Sequence, residues 1–486
     1  MSTSTPPGWA SGSAAMTPAP RPRWGVQASL IQPSQPAFWL YVTLLAVGGY
    51  LFVREQATMA NLATAWLLSW LLVVAYAAPV AVIVYRLDLF EREPKLVLAA
   101  AIVWGGIIAT SLAAQANDAW LSVLGKVATP DMANQWGAAI VGPAVEETLK
   151  LSGVVTLFLI VPGEFDGLMD GFVYGAMVGL GFTVVEDVSY FITAAAAGPG
   201  FVDQSGPVLD TFLIRVIGGG LYGHVLFTGL AGLGFAYIAT RPSLPLQTRL
   251  GRGGLCIAAG VAAHAVWNSP WMDSVLATSG GADPSTAQWV LYGAVKGLPF
   301  LILLGLLVRL ATRSEEETFR LIVAGEPDPW VVTDSEIWSL RSLLSRRAAR
   351  VDAGRAHGPA GPRLVGALQA AQIEYAMIRS RTDFLGDPEL EAQRSKIRWL
   401  RSELARQSPI APASAPGFAT AWLPTHFVPA GGIGAWAAPD PSGRPIAVLP
   451  ENMPLVVIAR AGEWARVAAQ NGWTGWVDCR LLVAHR

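Results

Sequence analysis

Residues 168–192 read LMDGFVYGAMVGLGFTVVEDVSYFI, and this stretch decides the fold class. A helix that crosses a bilayer needs about 20 mainly apolar residues, which the run from Leu168 to Ile192 supplies. Within it Gly171, Gly175 and Gly179 recur at the small-xxx-small spacing that lets two membrane helices approach closely. Glu186 and Asp187 interrupt it, and ionisable groups at bilayer depth cost roughly 2.5–3.5 kcal/mol each on insertion scales, so such intruders mark where function is to be sought. Working outward, comparable apolar stretches lie near 37–53, 62–85, 96–115, 136–161, 211–239, 253–269 and 287–310, which with 168–192 predict eight spans. The stretch 211–239 is long enough to divide into an interfacial segment and a span starting near Leu221. Of 486 residues, 52% are hydrophobic and only 14% charged, with a mean hydropathy of +0.42, which excludes a purely soluble enzyme and a disordered scaffold.

The charge is unevenly placed. Thirty of the 69 charged residues fall in residues 1–308 and 39 in residues 309–486, so an apolar bundle is joined to a normally charged tail. Lys and Arg collect in alternate connections, at Arg86, Arg92 and Lys95, at Arg241, Arg249 and Arg252, and at Arg309 and Arg313, whereas 193–210 and 270–286 carry none. Positive charge favours the cytoplasmic side, so both termini are expected in the cytoplasm. A net charge of −1 gives no field to attract nucleic acid. Cys256 and Cys479 provide neither a disulfide framework nor a thiolate metal site.

Five regions follow. Residues 1–35 read as a disordered tail without the layout of a signal peptide, and 36–311 as the membrane bundle. Residues 312–406 read as a soluble helical segment, on the helical spacing of Ile337, Trp338, Leu340, Leu343 and Leu344 and again of Ile373, Tyr375 and Ile378. Residues 407–424, QSPIAPASAPGFATAWLP, form a linker. In 425–486 short strands at Val448-Leu449, Leu455 to Ile458, Trp464 to Val467 and Trp473 to Val477 alternate with turns such as Pro441-Ser442-Gly443 and Asn471-Gly472, predicting a small β-barrel. The architecture expected is thus an all-α polytopic membrane bundle of about eight spans, then soluble helices, then a small all-β domain.

Four spans carry polar groups that do not belong in lipid. The fourth has Glu146, Glu147 and Lys150; Glu146 and Lys150 are four apart and expected to pair, with Glu147 turned about 100° away. The fifth has Glu186, the sixth His224, and the seventh His264 and Asn268 on one face. Packing through the glycine spacing is expected to bring Glu186 near Glu146. One such residue alone is as readily structural as functional, but four sites together are not explained by bracing. This set suits hydrolysis by an activated water: a poorly solvated carboxylate as general base, imidazoles to share protons, an amide to stabilise an oxyanion. It equally suits Zn²⁺ held by Glu186, His224 and His264, with another glutamate as base, and the residues leave the two open. Ser189, the only serine of the fifth span, is its one nearby hydroxyl candidate for a nucleophile, which disfavours covalent catalysis. The competing class is a transport or binding protein that uses the same groups as an ion path, although the second copy of the motifs that transporter repeats would bring is absent from the sequence.

At these residues the chain resembles the PrsW family of intramembrane proteases, relatives of the CAAX-processing and bacteriocin-immunity membrane proteases. The resemblance rests on Glu-Glu-x-x-Lys at Glu146, Glu147 and Lys150, Phe-x-x-x-Glu at Phe182 and Glu186, the mid-bundle His224, and His-x-x-x-Asn at His264 and Asn268. Asp88-Leu89-Phe90-Glu91-Arg92-Glu93-Pro94 is similar to the acidic segment that precedes the family core, and Asp187 stands where Asn is more usual. The resemblance implies peptide-bond hydrolysis within the membrane, with Glu146 as leading base, Glu147, Glu186, His224, His264 and Asn268 completing the site, Lys150 and Phe182 in support, and a membrane-anchored protein, such as an anti-sigma factor, as substrate. Residues 425–484 resemble a bacterial SH3 domain through Gly462-Glu463-Trp464-x-x-Val467 and Gly472-Trp473-x-Gly475-Trp476-Val477. That likeness implies a groove of Trp464, Trp473 and Trp476 for a peptide or protein ligand, with core packing as the competing role of these rings.

Overall fold

The structure is a computed structural model that describes residues 24, 29–197, 204–219, 223–272, 286–407 except 325, 327, 329 and 383, and 424–484 except 441–444 and 470–472. Most of the expected N-terminal tail and nearly all of the linker lie outside the described residues, as do Leu221 and the turns Pro441-Ser442-Gly443 and Asn471-Gly472. The chain divides into two compact units, Met1–Gln407 and Ser408–Arg486.

The first unit is helical: α1 Pro36–Met59, α2 Ala63–Leu87, α3 Lys95–Val103, α4 Thr110–Val127, α5 Pro130–Ile160, α6 Leu168–Ala197, α7 Ser205–Phe212, α8 His224–Ala239, α9 Leu246–Asn268, α10 Thr286–Val323, α11 Asp334–Leu340, α12 Leu343–His357, α13 Gly361–Arg381 and α14 Pro388–Arg406. Two π-helical turns, Trp104–Ala109 and Leu213–Gly218, join α3 to α4 and continue α7. Among the described residues six helices are long and apolar enough to cross a membrane: α1, α2, the continuous Lys95–Val127, α6, α9 and α10. The fourth and sixth expected spans are not in that set. Helix α5 has the length but carries Glu146, Glu147 and Lys150 in its apolar half, and residues 211–239 are not one helix. The π turn there ends at Gly218 and α8 restarts at His224, leaving only 16 residues.

Helix α6 is central: 83% of its most apolar stretch is buried, against 11% in α1. The reason is its glycine stripe. A Cβ on Gly171 would stand 2.3 Å from the Gly232 carbonyl oxygen, on Gly175 2.3 Å from that of Thr228, and on Gly179 2.2 Å from that of His224, so α8 lies against α6 backbone to backbone. The stripe therefore serves α8, where the spacing alone had suggested the helix of Glu146. Helix α5 starts with a Thr129 cap on the Met132 amide and Pro130 in its first turn, both favourable at a helix start. Its Pro143 removes one backbone donor a turn ahead of Glu146.

Beyond the spans α10 runs unbroken through the expected boundary at 311/312, and α11 to α14 form the charged helical segment. Their core gathers Phe319, Ile322, Ile337, Leu340, Tyr375 and Ile397, and Trp24 joins it against Phe90 and Phe319. The second unit is a small antiparallel β region of β1 His426–Phe427, β2 Ile433–Ala435, β3 Ala447–Leu449, β4 Pro454–Ala461, β5 Trp464–Ala469, β6 Thr474–Asp478 and β7 Val483–Ala484. One sheet has the order β6-β5-β4-β1-β7, the other pairs β2 with β3, and a bridge between Trp436 and Trp476 links them.

Candidate active site

Helices α5, α6, α8 and α9 each bring polar side chains to one place. On α5, Glu147 and Lys150 turn toward α8 and α9. Lys150, with no exposed surface, places Nζ 2.6 Å from Glu147 Oε1 and 2.7 Å from His224 Nδ1. The expected Glu146–Lys150 pair is the longer one, at 3.5 Å. Tertiary packing decides this, because Lys150 reaches across to α8 and Glu147 faces the same way. Glu147 also accepts from Thr228 Oγ1 at 2.9 Å and from His264 Nδ1 at 2.9 Å, so both its oxygens are engaged.

Glu146 is placed differently. Its Oε1 accepts from Asn117 Nδ2 at 3.1 Å, while Oε2 is buried without a hydrogen bond, 3.7 Å from His264 Nε2. Asn268 donates to the Ala138 carbonyl at 3.1 Å and lies 3.1 Å from His264 Nε2, one turn along α9. With His264 Nδ1 donating to Glu147, its Nε2 is left as an acceptor aimed toward Glu146 and Asn268. His224 is likewise fixed: Nδ1 accepts from Lys150, and Nε2 donates to Glu186 Oε2 at 3.0 Å. Its ring packs edge-on against Phe182 at 4.7 Å, and Phe227 stacks on His264 at 4.8 Å.

These groups line a cavity of about 220 Å³ whose wall includes Glu146, Glu186, His224, His264 and Asn268. Glu147, Lys150 and Phe182 stand behind the wall as its support. The structure thus brings together the residues singled out on four spans, and adds some. Arg215, on the π turn after α7, donates to Glu186 Oε2 at 2.7 Å and to Asp187 Oδ1 at 2.6 Å, and lies 3.8 Å over the Tyr190 ring. The signal was in the sequence, since an arginine within Leu213-Ile214-Arg215-Val216-Ile217 is as anomalous in an apolar run as the glutamates. Asn117 and Thr228 carry no comparable signal, being neutral residues whose role comes only from their partners.

Glu146, His224 and His264 each offer a ligand atom within 4.8 Å of the others, a group that could hold a metal ion. Glu186, the carboxylate expected in that set, is instead taken up by Arg215 and His224. The donor types fit a metal such as zinc, two imidazoles and a buried carboxylate oxygen without a hydrogen bond; His264 Nε2 is open to it, whereas His224 would have to release Lys150 or Glu186 to offer a lone pair.

Residues 93–304 match the PrsW family intramembrane metalloprotease model. The PrsW match spans every residue of the cavity named above except Tyr76, which lies on α2. No curated protein and no solved structure matches the chain.

In the β unit, Trp464, Trp473 and Trp476 are half-buried. Trp464 and Trp476 share the outer face of β5 and β6, with Trp436 edge-on to Trp464 at 5.2 Å. Trp473 covers Gly475 and packs against the core of Val467 and Val477. The three rings therefore divide between two surfaces.

Proposed function

We propose that this chain is a multi-pass, membrane-embedded protease of the PrsW type that hydrolyses peptide bonds of membrane-anchored proteins in the bacterial cell membrane. The reading is supported by the PrsW match over 93–304 and by six apolar helices. The single observation that carries it is Glu146 Oε2, buried at the cavity without a hydrogen bond and within reach of two imidazoles.

Glu146 takes a proton from a water seated between its Oε2 and His264 Nε2, and that hydroxide attacks the scissile carbonyl. Asn268 faces the developing negative charge, and Glu146 returns the proton to the leaving amine. Glu147 holds Lys150 and the tautomer of His264; Glu186, pinned by Arg215, does the same for His224. A metal held by Glu146, His224 and His264 would instead supply Lewis-acid polarisation of water and carbonyl, taking up the Glu146 oxygen that serves as base without it. Residues 312–406 and the β unit serve as cytoplasmic modules that recruit substrate or regulate access, with Trp464 and Trp476 as the peptide-facing rings.

The test compares membrane proteins of cells carrying the wild type or Glu146→Gln, by quantifying newly formed chain termini within or beside their spans. Loss of a general base removes about 10²–10⁴-fold of rate, so termini that depend on the wild type should vanish in the variant while its thermal melt in detergent is unchanged. Equal termini in both would overturn the reading.

A further inference from the structure

A second polar cluster lies about 24 Å along α6 from Glu186, at 1.5 Å per residue, where Asp170 opens the helix. The turn between α2 and α3 brings Asp88, Glu91 and Glu93 to it, the turn between α5 and α6 brings Glu164 and Asp166, and α10 brings Glu315. Six of these seven carboxylates are between 2% and 7% exposed, and Asp166 is half-buried. They face one another. Asp170 Oδ2 accepts from the Asp166 and Gly167 amides at 2.8 and 2.7 Å. The point a Cβ on Gly167 would occupy is 3.6 Å from Asp170 Oδ1 and 3.8 Å from Glu315 Oε1, so these two carboxylates share the space above that glycine. Tyr174 donates to Glu93, and Glu93 and Glu91 lie beside Asp170 and Asp166. Positive charge is scarce. Arg346 faces Asp88 and Glu315, but its guanidinium donates to the Leu89 and Leu340 carbonyls at 2.6 and 2.8 Å.

Two observations point to a missing partner for the oxygens. Glu315 is 7% exposed and makes no hydrogen bond or ion pair among the described residues. Its Oε2, Asp88 Oδ2, Glu93 Oε1 and Asp166 Oδ2 are all buried without a partner. Burial, then the neighbouring charges of Asp170 and Glu91, pushes the Asp88 carboxyl well above the carboxylate range; burial and Asp170 do the same to Glu93, and push Asp166 up to about 11. Buried charges persist only when paired or bound to a cation.

We propose that this cluster is a binding site for a hard divalent cation of the Ca²⁺ or Mg²⁺ class, which ties the α2–α3 turn, the α5–α6 turn and α10 together. The ligands are all oxygens, which selects hard ions over zinc. The site is separate from the cavity of Glu146, and its occupancy does not depend on the protease reading.

The experiment titrates Ca²⁺, and separately Mg²⁺, into the purified full chain in detergent, followed by calorimetry. Cation and protons compete for the same carboxylates, so affinity should rise with pH. Glu315→Gln and Asp88→Asn should each weaken binding by about tenfold or more, while Glu146→Gln combined with His264→Ala, which silences the other group, should leave it unchanged. The amide variants mimic protonated carboxyls, and their cation-free melting temperatures, expected at or above that of the wild type, report that they fold. No binding of either ion at millimolar concentration would overturn the site and leave carboxyls that merely share protons. Undiminished binding in both Glu315→Gln and Asp88→Asn would overturn it equally.

Discussion

Lys150 has no exposed surface, yet its ammonium is held by Glu147, by His224 and more distantly by Glu146. Removing it leaves the Glu147 carboxylate buried beside two imidazoles without its nearest cation. Breaking a buried pair from one side costs about 3–5 kcal/mol, whereas replacing both partners by apolar groups is often neutral. Lys150→Met should therefore lower stability by about that amount, and Lys150→Met with Glu147→Leu should recover most of it while remaining inactive. Reversible unfolding in mixed micelles checks both. At this scale the sequence singled out residues that the fold brings together and misjudged who holds whom. Spacing along α5 joined Glu146 to Lys150; packing against α8 gave Lys150 to Glu147 and left Glu146 Oε2 without a hydrogen bond, the feature on which the proposal of Glu146 as base rests.

Among the elements, the glycine stripe of α6 was readable as a close-contact surface but its partner was not, since spacing carries no address. It meets α8, and the contact sets His224 against Phe182 and Glu186. Gly175→Ala would put a Cβ 2.3 Å from the Thr228 carbonyl oxygen and must push the helices apart. An overpacking loss of about 1–3 kcal/mol is expected, together with reduced cleavage, because Thr228 and His224 move with α8. Thermal melts and cleavage assays on the one variant separate the two effects. The sixth stretch was too long for one span and was read as divisible near Leu221; apolar composition continues across Gly218, so hydropathy does not mark where the backbone makes a π turn and then a short helix from His224. In the helical segment, burial opposes ionisation of Glu326, but hydrogen bonds from Arg394 and Tyr375 outweigh it and hold the carboxyl below the usual range. Its contribution is thus present above the unfolded carboxylate pKa of about 4.3 and is lost as pH falls through the lower folded value. Melting of the full chain should fall more steeply with acid for the wild type than for Glu326→Gln.

Over the whole molecule, the buried carboxylates of the described residues collect in two places, around the cavity of Glu146 and in the cluster of Asp88, Asp170 and Glu315. The first was legible because its residues sit within apolar runs. The second was not, because Asp88 to Glu93, Glu164 to Asp170 and Glu315 lie at span ends, where charge is ordinary, and only the fold brings three separate segments together. The β unit was legible as short strands, yet the division of its tryptophans between two faces depends on strand register, with Ala465 opposite Val477 turning Trp464 and Trp476 outward.

The central claim is that Glu146 activates the water that cleaves a peptide bond within the membrane. Its most direct test reconstitutes purified wild type and Glu146→Gln in proteoliposomes with a single-span substrate identified from the cellular comparison, in water enriched in ¹⁸O. The account predicts that the wild type releases a fragment whose new carboxyl carries solvent oxygen, and that the folded Glu146→Gln protein releases none above background. Cleavage by Glu146→Gln at the wild-type rate would contradict it.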